Sequence, residues 1–319
     1  MRSPRLERIV IGMDFSASAI DAAAWTARHF APEAELVFVH AIVIPEIPGF
    51  LRKRTPPPDT LIETARLGAE QRMRELAASL GAKLILPEIR VGLPAEQIVT
   101  VCGEYEADLI VVGPHGERAG GWGARLGATA EQLVRAAPVP VLLVANAHAA
   151  APHRLLVPVN DSIVASSVVR WAHFLARHFS AEATALHVLG PPVFTSVVSA
   201  AALTSGAVWP ASEPAHSLVY EDADQWLTQM VTSDADDVRM ATTVVFGDPG
   251  EEIVTAAQRV NADLVVMGSR GLTGLPRLVL GSVADHVLRH APSPILVVKE
   301  SDAVKESEED EIVGEATRS

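Results

Sequence analysis

Gly268 and Gly271 are followed, after nine intervening residues, by Gly281-Ser282. Glycine lets backbone N–H groups approach an anion closely and permits φ > 0. The apolar run Leu264–Met267 leads into this stretch. Val283, Val287 and Leu288 then fall at helical spacing, and a second apolar run, Ile295–Val298, follows. Strand, glycine loop, helix and strand in that order form a phosphate site, because the first N–H groups of a helix have no intrahelical partner. Ser282 is expected at the N-cap, with Asp285 three residues on. Arg270 lies inside the loop, where it would add charge or face solvent. An altered copy reads Gly113-Pro114-His115-Gly116, then ten residues, then Gly127-Ala128-Thr129. Its loop is one residue longer, Pro114 removes a backbone donor, and Ala128 replaces the hydroxyl residue, although Thr129 can cap from the next position.

The elements that must carry these loops occur twice. Arg8–Phe15 and Arg154–Asp161 read as first strands, each ending in a polar turn at Asp14 or at Asn160-Asp161. A helix is expected from Ala17 to Phe30, and Trp25 matches Trp171 at an offset of 146. Leu36–His40 and Thr184–Val188 read as second strands, each with a histidine near its end. Gly92-Leu-Pro-Ala-Glu-Gln-Ile-Val matches Gly247-Asp-Pro-Gly-Glu-Glu-Ile-Val, and Ala107-Asp108-Leu109 matches Ala262-Asp263-Leu264, both at an offset of 155. Two α/β units in tandem are therefore expected, over residues 1–147 and 152–300, with an alanine-rich linker between them. Alternating strands and helices imply a parallel, doubly wound, Rossmann-like sheet, whose ligands bind at the carboxyl ends of the strands. Asp14, Asn160, Gly113 and Gly268 all fall at such ends.

The spacing Gly268-x2-Gly271-x9-Gly281-Ser282 resembles the ATP-binding signature of the universal stress protein family. The resemblance implies five parallel strands per copy in the order 3-2-1-4-5. It further implies an acidic residue at the end of the first strand that contacts the nucleoside. That residue is Asp14 in the first copy; the second has Asn160, with Asp161 next to it. Backbone atoms at Ala41 and Val188 would touch adenine. Phosphate contacts would come from Gly268, Gly271, Gly281, Ser282 and Val283, and from Gly113, Gly116, Gly127 and Thr129 in the first copy. The implied ligand is ATP, with Mg²⁺ arriving on the phosphates. Family members dimerise through their last strands, so the runs Val139–Val144 and Ser293–Val298 are expected to pair within the chain as a pseudo-dimer, with homo-oligomers also open.

Composition narrows the alternatives. A net charge of −13 and the absence of a basic cluster argue against a nucleic-acid surface. Residues 301–319 form an acidic tail without apolar pattern, expected to be disordered. The uncharged stretch Ala183–Ser212 is broken by Pro191, Pro192, Gly206 and Pro210, so a loop is expected there rather than a membrane span. The N-terminus has no signal-peptide pattern, and the single Cys102 fits a reducing cytoplasm and a buried, inert thiol. His40 and His187 read as core-edge histidines, and the proline-rich Pro45–Asp59 as a solvated loop. A ligand-binding regulatory protein is expected, holding ATP chiefly in its second domain. A slow ATPase or nucleotidyl transferase on the same scaffold, or a ligand-free interaction module, are the competing functions; no base–nucleophile set marks an enzyme.

Overall fold

The computed structural model describes residues 4–30, 34–44, 56–81, 85–116, 126–144, 150–190, 213–232, 239–269 and 280–299. Arg270, Gly271, the acidic tail and most of the proline-rich and uncharged loops lie outside them. The chain divides into two compact units, Arg5–Ala150 and the residues from Ala151 onward.

In the first unit, β1 (Arg8–Gly12), β2 (Glu35–Ile42), β3 (Ile85–Val91), β4 (Leu109–Val112) and β5 (Val141–Leu143) alternate with helices. These helices are α1 (Ala17–Phe30), α2 (Pro58–Leu80), α3 (Pro94–Glu104) and α4 (Ala128–Ala136). All pairings are parallel: β1 lies between β2 and β4, β3 flanks β2, and β5 flanks β4. Ile9, Val10, Ile11, Leu36, Val37 and Phe38 are fully buried, as expected for central strands covered by helices on both faces. The first strand stops at Gly12 rather than Phe15, because Asp14 opens a turn and Phe15 adopts a φ of 63°.

The second unit repeats the arrangement with β6 (Arg154–Pro158), β7 (Glu182–Leu189), β8 (Met240–Phe246), β9 (Leu264–Gly268) and β10 (Ile295–Val298). Its helices are α5 (Ala165–Phe179), α6 (Glu213–Thr232), α7 (Pro249–Arg259) and α8 (Ser282–His290). Here β6 lies between β7 and β9, β8 flanks β7, and β10 flanks β9, all parallel. Among the described residues no helix is long and apolar enough to cross a membrane.

The repeated motifs have structural explanations. Gly92 and Gly247 turn the chain from β3 into α3 and from β8 into α7 with φ of 143° and 157°, a region that suits glycine. Glu106 and Asn261 end the turns after α3 and α7 in the left-handed region, at φ of 49° and 47°. The following Ala107 and Ala262 N–H groups then bond back to Cys102 and Ala257 over 2.9 and 2.8 Å, a Schellman-type closure. Asp108 accepts the N–H groups of Glu7 and Arg8 at 2.8 and 3.1 Å, and Asp263 accepts those of His153 and Arg154 at 3.0 and 2.9 Å. In both units the repeated aspartate therefore clamps the start of the first strand to the start of the fourth.

An ionised acceptor on two backbone donors contributes about 1–3 kcal/mol. Asp108 is the more buried of the pair, at 12% side-chain exposure against 34% for Asp263, and it also accepts from Arg5 at 2.9 Å. Urea unfolding should show Asp108→Ala losing about 1–3 kcal/mol and Asp263→Ala losing less. Equal or reversed losses would show that the clamp does not depend on burial.

Candidate functional site

At the carboxyl end of the first sheet the chain must pass from strands to helices, and a cleft of about 210 Å³ opens there. Asp14, Ala41, Gly113, Gly116, Gly127 and Thr129 all line it, so the structure brings together every site residue expected in this unit. Asp14 follows β1 and is exposed; its Oδ1 accepts the Ser16 N–H at 2.9 Å, closing an Asx turn. Ser16 in turn caps α1, its Oγ accepting the Ala19 N–H at 3.2 Å. The second carboxylate oxygen of Asp14 lies 3.1 Å from where a Cβ on Gly116 would sit. The strand-end acid and the glycine loop are thus neighbours in space.

The three glycines of this loop do different work. A Cβ on Gly113 would meet Ser18 Oγ at 2.1 Å and the Ser18 carbonyl carbon at 2.7 Å, so this glycine is needed where β4 passes α1. Gly116 faces only the Asp14 carboxylate. Gly127 donates its N–H to the Pro114 carbonyl at 2.8 Å, and its own Cβ would sit 3.3 Å from that oxygen. That hydrogen bond lays the loop against the start of α4. Gly127 is the N-cap, extended at φ −63°, and caps with no side chain; Thr129 does not cap either. The first-turn N–H groups, borne by Ala128, Thr129 and Ala130 on the cleft wall, are left for an external acceptor.

In the second unit the expected residues hold the corresponding places. Asn160 and Asp161 follow β6, half-buried and exposed respectively, and Val188 is half-buried near the end of β7. Here the turn is made by backbone: the Asn160 carbonyl accepts the Ser162 N–H at 2.8 Å. Gly268 closes β9, and the Gly281 N–H bonds to the Ser269 carbonyl at 3.2 Å, the counterpart of the Gly127–Pro114 bond. Ser282 is not the N-cap: Gly281 takes that position at φ −65°, ψ 147°, and Ser282 is the first helical residue, its side chain exposed. Val283 is half-buried beside it, while Arg270 and Gly271 fall outside the described residues.

Several lining residues were not singled out from sequence. Pro94 and Ile98 reach the first cleft from α3, and the Gly-x-Pro repeat was the signal that could have flagged them. His115 on the cleft wall and Ser18 behind Gly113 each carry a buried polar atom, Nδ1 and Oγ, without a hydrogen-bond partner among the described residues. Groups in that state favour an added acceptor or donor. Cys102 is buried in α3, and burial pushes its thiol up to about 11. Roughly one molecule in ten thousand then carries the thiolate at neutral pH, too few for a nucleophile. Among the described residues no cluster of three or more His, Cys, Asp or Glu side chains is placed to hold a metal.

A parallel doubly wound sheet, with a glycine at or just past the end of its fourth strand and another at the start of the uncapped helix that follows, defines a Rossmann-like α/β domain, here present twice. The universal stress protein family model matches residues 5–145 and again 152–299, and the chain belongs to that family. A universal stress protein of Mycobacterium tuberculosis is 29% identical over 315 residues, covering 92% of this chain and 96% of the relative. A universal stress protein of Methanocaldococcus jannaschii is 32% identical over 148 residues, 46% of this chain and 81% of its own. The crystal structure of a universal stress protein from Archaeoglobus fulgidus superposes with a TM-score of 0.65 at 19% identity, over 93% of this chain and 97% of that one, and so shares the fold.

Two measurements check these assignments. Thermal unfolding should show Gly113→Ala losing about 1–3 kcal/mol through overpacking against Ser18, while Gly116→Ala stays within about 0.5 kcal/mol. Similar losses for both would refute the division of roles. A thiol reagent at pH 8 should label Cys102 only as fast as the protein opens, accelerating with urea; prompt stoichiometric labelling in the native state would contradict the buried thiol.

Proposed function

We propose that this protein is an adenine-nucleotide-binding regulatory member of the universal stress family, that it works in the cytoplasm, and that ATP is held chiefly by its second domain. The observation that carries the proposal is the loop closure found in both units. A glycine N–H bonds back to the strand exit, Gly127 to Pro114 and Gly281 to Ser269, and the following helix starts without a side-chain cap. Phosphate oxygens are suited to those vacant donors, and the helix dipole favours an anion there by about 0.3–1 kcal/mol.

Within each domain the roles follow from chemistry. Asp14, Asn160 and Asp161 can accept hydrogen bonds from ribose hydroxyls. Backbone atoms at Ala41 and Val188, near the ends of β2 and β7, are assigned to the base. Gly268, Gly271, Gly281, Ser282 and Val283 are assigned to the phosphates, with Arg270 as an additional charge. In the first domain that role passes to Gly113, Gly116, Gly127 and Thr129. Mg²⁺ would be carried mainly by the phosphates themselves, since it retains its waters and needs few protein ligands.

Preference for the second domain rests on the loop. It keeps the nine-residue spacing and a hydroxyl at Ser282, whereas the first has ten residues, Pro114 and Ala128. A change of loop length moves several donors together, while Asn160 for an acid alters one hydrogen bond of about 0.5–1.5 kcal/mol. Calorimetric titration with ATP should give about one tight equivalent per chain, lost in Gly281→Val and kept in Gly127→Val. Two equal tight sites, or one lost only through Gly127, would reverse the ranking; no binding at all would end the proposal.

A further inference from the structure

The carbonyl group just before each strand-end polar residue is held in the same way in both units. Met13 and Val159 continue the first-strand ladder through their N–H groups, which donate to Val39 and Leu186 at 2.8 Å in each case. Their carbonyl oxygens are met by imidazoles from the next residue along the neighbouring strand. His40 Nδ1 lies 2.7 Å from the Met13 oxygen, and His187 Nδ1 lies 2.8 Å from the Val159 oxygen. A carbonyl oxygen only accepts, so Nδ1 carries the proton and donates in both. The residue after each latched carbonyl is Asp14 or Asn160.

We propose that His40 and His187 are positioning residues for the two nucleotide sites: each imidazole latches the carbonyl that precedes the ribose-facing side chain and so fixes the turn that presents it. The assignment rests on the nucleotide-binding function proposed above. Its independent support is that both units keep this geometry although the rings packed against the imidazole and the turn that follows differ between them. In the first, the His40 ring packs against Phe15 at a tilt of 47°, centroids 4.9 Å apart, and the Arg72 guanidinium sits 4.0 Å from the centre of that phenyl ring. In the second, Trp226 of α6 meets His187 directly in an edge-to-face contact, centroids 4.9 Å apart. The turns differ as well, an Asx turn at Asp14 and a backbone bond from Ser162 to Asn160. What the units share is the Nδ1–H to carbonyl bond. The rings keep the imidazole in place, and the imidazole keeps the turn in place. His40 also lines the first cleft, so the latch is part of the site wall.

Two paired variants separate the hydrogen bond from the ring. In His40→Phe/His187→Phe the aromatic contact is kept and the donor is lost. In His40→Asn/His187→Asn the side-chain amide can supply a donor at the Nδ1 position without the ring. Hydrogen exchange without nucleotide should show faster amides in 14–18 and 160–164 for the Phe pair and near-native rates for the Asn pair. ATP affinity should fall about threefold to tenfold in the Phe pair, the loss of one hydrogen bond, and stay within about twofold of wild type in the Asn pair. Unchanged exchange in those turns in the Phe pair overturns the latch, even if the wild-type protein binds no nucleotide. If the wild type binds ATP and the Phe pair binds equally tightly, or the Asn pair is as weak as the Phe pair, the positioning role is refuted while the proposed function stands.

Discussion

The hydrogen bond from the Gly127 N–H to the Pro114 carbonyl, 2.8 Å long, brings the exit of β4 against the start of α4. A side chain at Gly127 would crowd it, since a Cβ there would sit 3.3 Å from the carbonyl oxygen. Once it forms, the cleft floor, the uncapped first turn of α4 and the Asp14 carboxylate are drawn into one small volume. The second unit makes the same closure from Gly281 to Ser269. A parallel sheet sends each strand's carboxyl end toward a helix N-terminus, and at this junction donors are left over that neither element can use internally. The remaining repeated features hold the frame that makes the junction reproducible. Examples are the Asp108 and Asp263 clamps and the i,i+4 ion pairs Glu131–Arg135 and Asp285–Arg289 on α4 and α8.

Much of this was legible in the amino-acid order. Apolar runs such as Leu264–Met267 announce strands buried on both faces, and the run ends where β9 ends, at Gly268. α1 was readable to its ends, Ala17 and Phe30, because Ala19, Ala22, Ala23 and Trp25 mark a buried stripe. α2 was harder to see, since only Ala69 and Met73 of its 23 residues are buried and its periodicity is correspondingly faint. Cap positions also misled. Ser282 looks like an N-cap by residue type, yet Gly281 occupies the extended conformation that defines the cap, and the serine falls one place inside the helix. Residue type predicts who can cap, not where the backbone changes conformation. The latch histidines illustrate a different limit. Their position near the strand end was visible, but a side chain bonding a carbonyl 27 or 28 residues away leaves no local signature.

Phe15 shows how a locally unfavourable choice is sustained. A bulky residue at φ 63° costs on the order of 1–3 kcal/mol, and here it sits immediately after the strand-end acid Asp14. The ring packs against His40, and the Arg72 guanidinium lies over the ring, 4.0 Å from its centre. A cation over an aromatic face contributes about 0.5–1 kcal/mol at an exposed site, so ring and guanidinium together offset a sizeable part of the strain. In the second unit Trp226 reaches His187 from α6 directly. The two units thus reach a shielded imidazole by different routes.

Electrostatics supplies a further reason for the two sites to differ. A chain of net charge −13 repels a polyanionic ligand at long range, but that field is screened over about 8 Å at physiological salt. Short-range groups therefore decide. In the first cleft the Asp14 carboxylate lies 3.1 Å from the Gly116 Cβ position, so it places a negative charge beside the glycine loop that follows β4. In the second unit the corresponding residue is the neutral Asn160, half-buried, and the following Asp161 is exposed to solvent. An amide oxygen still accepts from a hydroxyl but does not oppose the phosphates. Asparagine at the strand end thus moves the charge one residue further along, to Asp161, instead of placing it at the Asp14 position. On the proposed function this shift acts in the same direction as the shorter loop and the hydroxyl at Ser282.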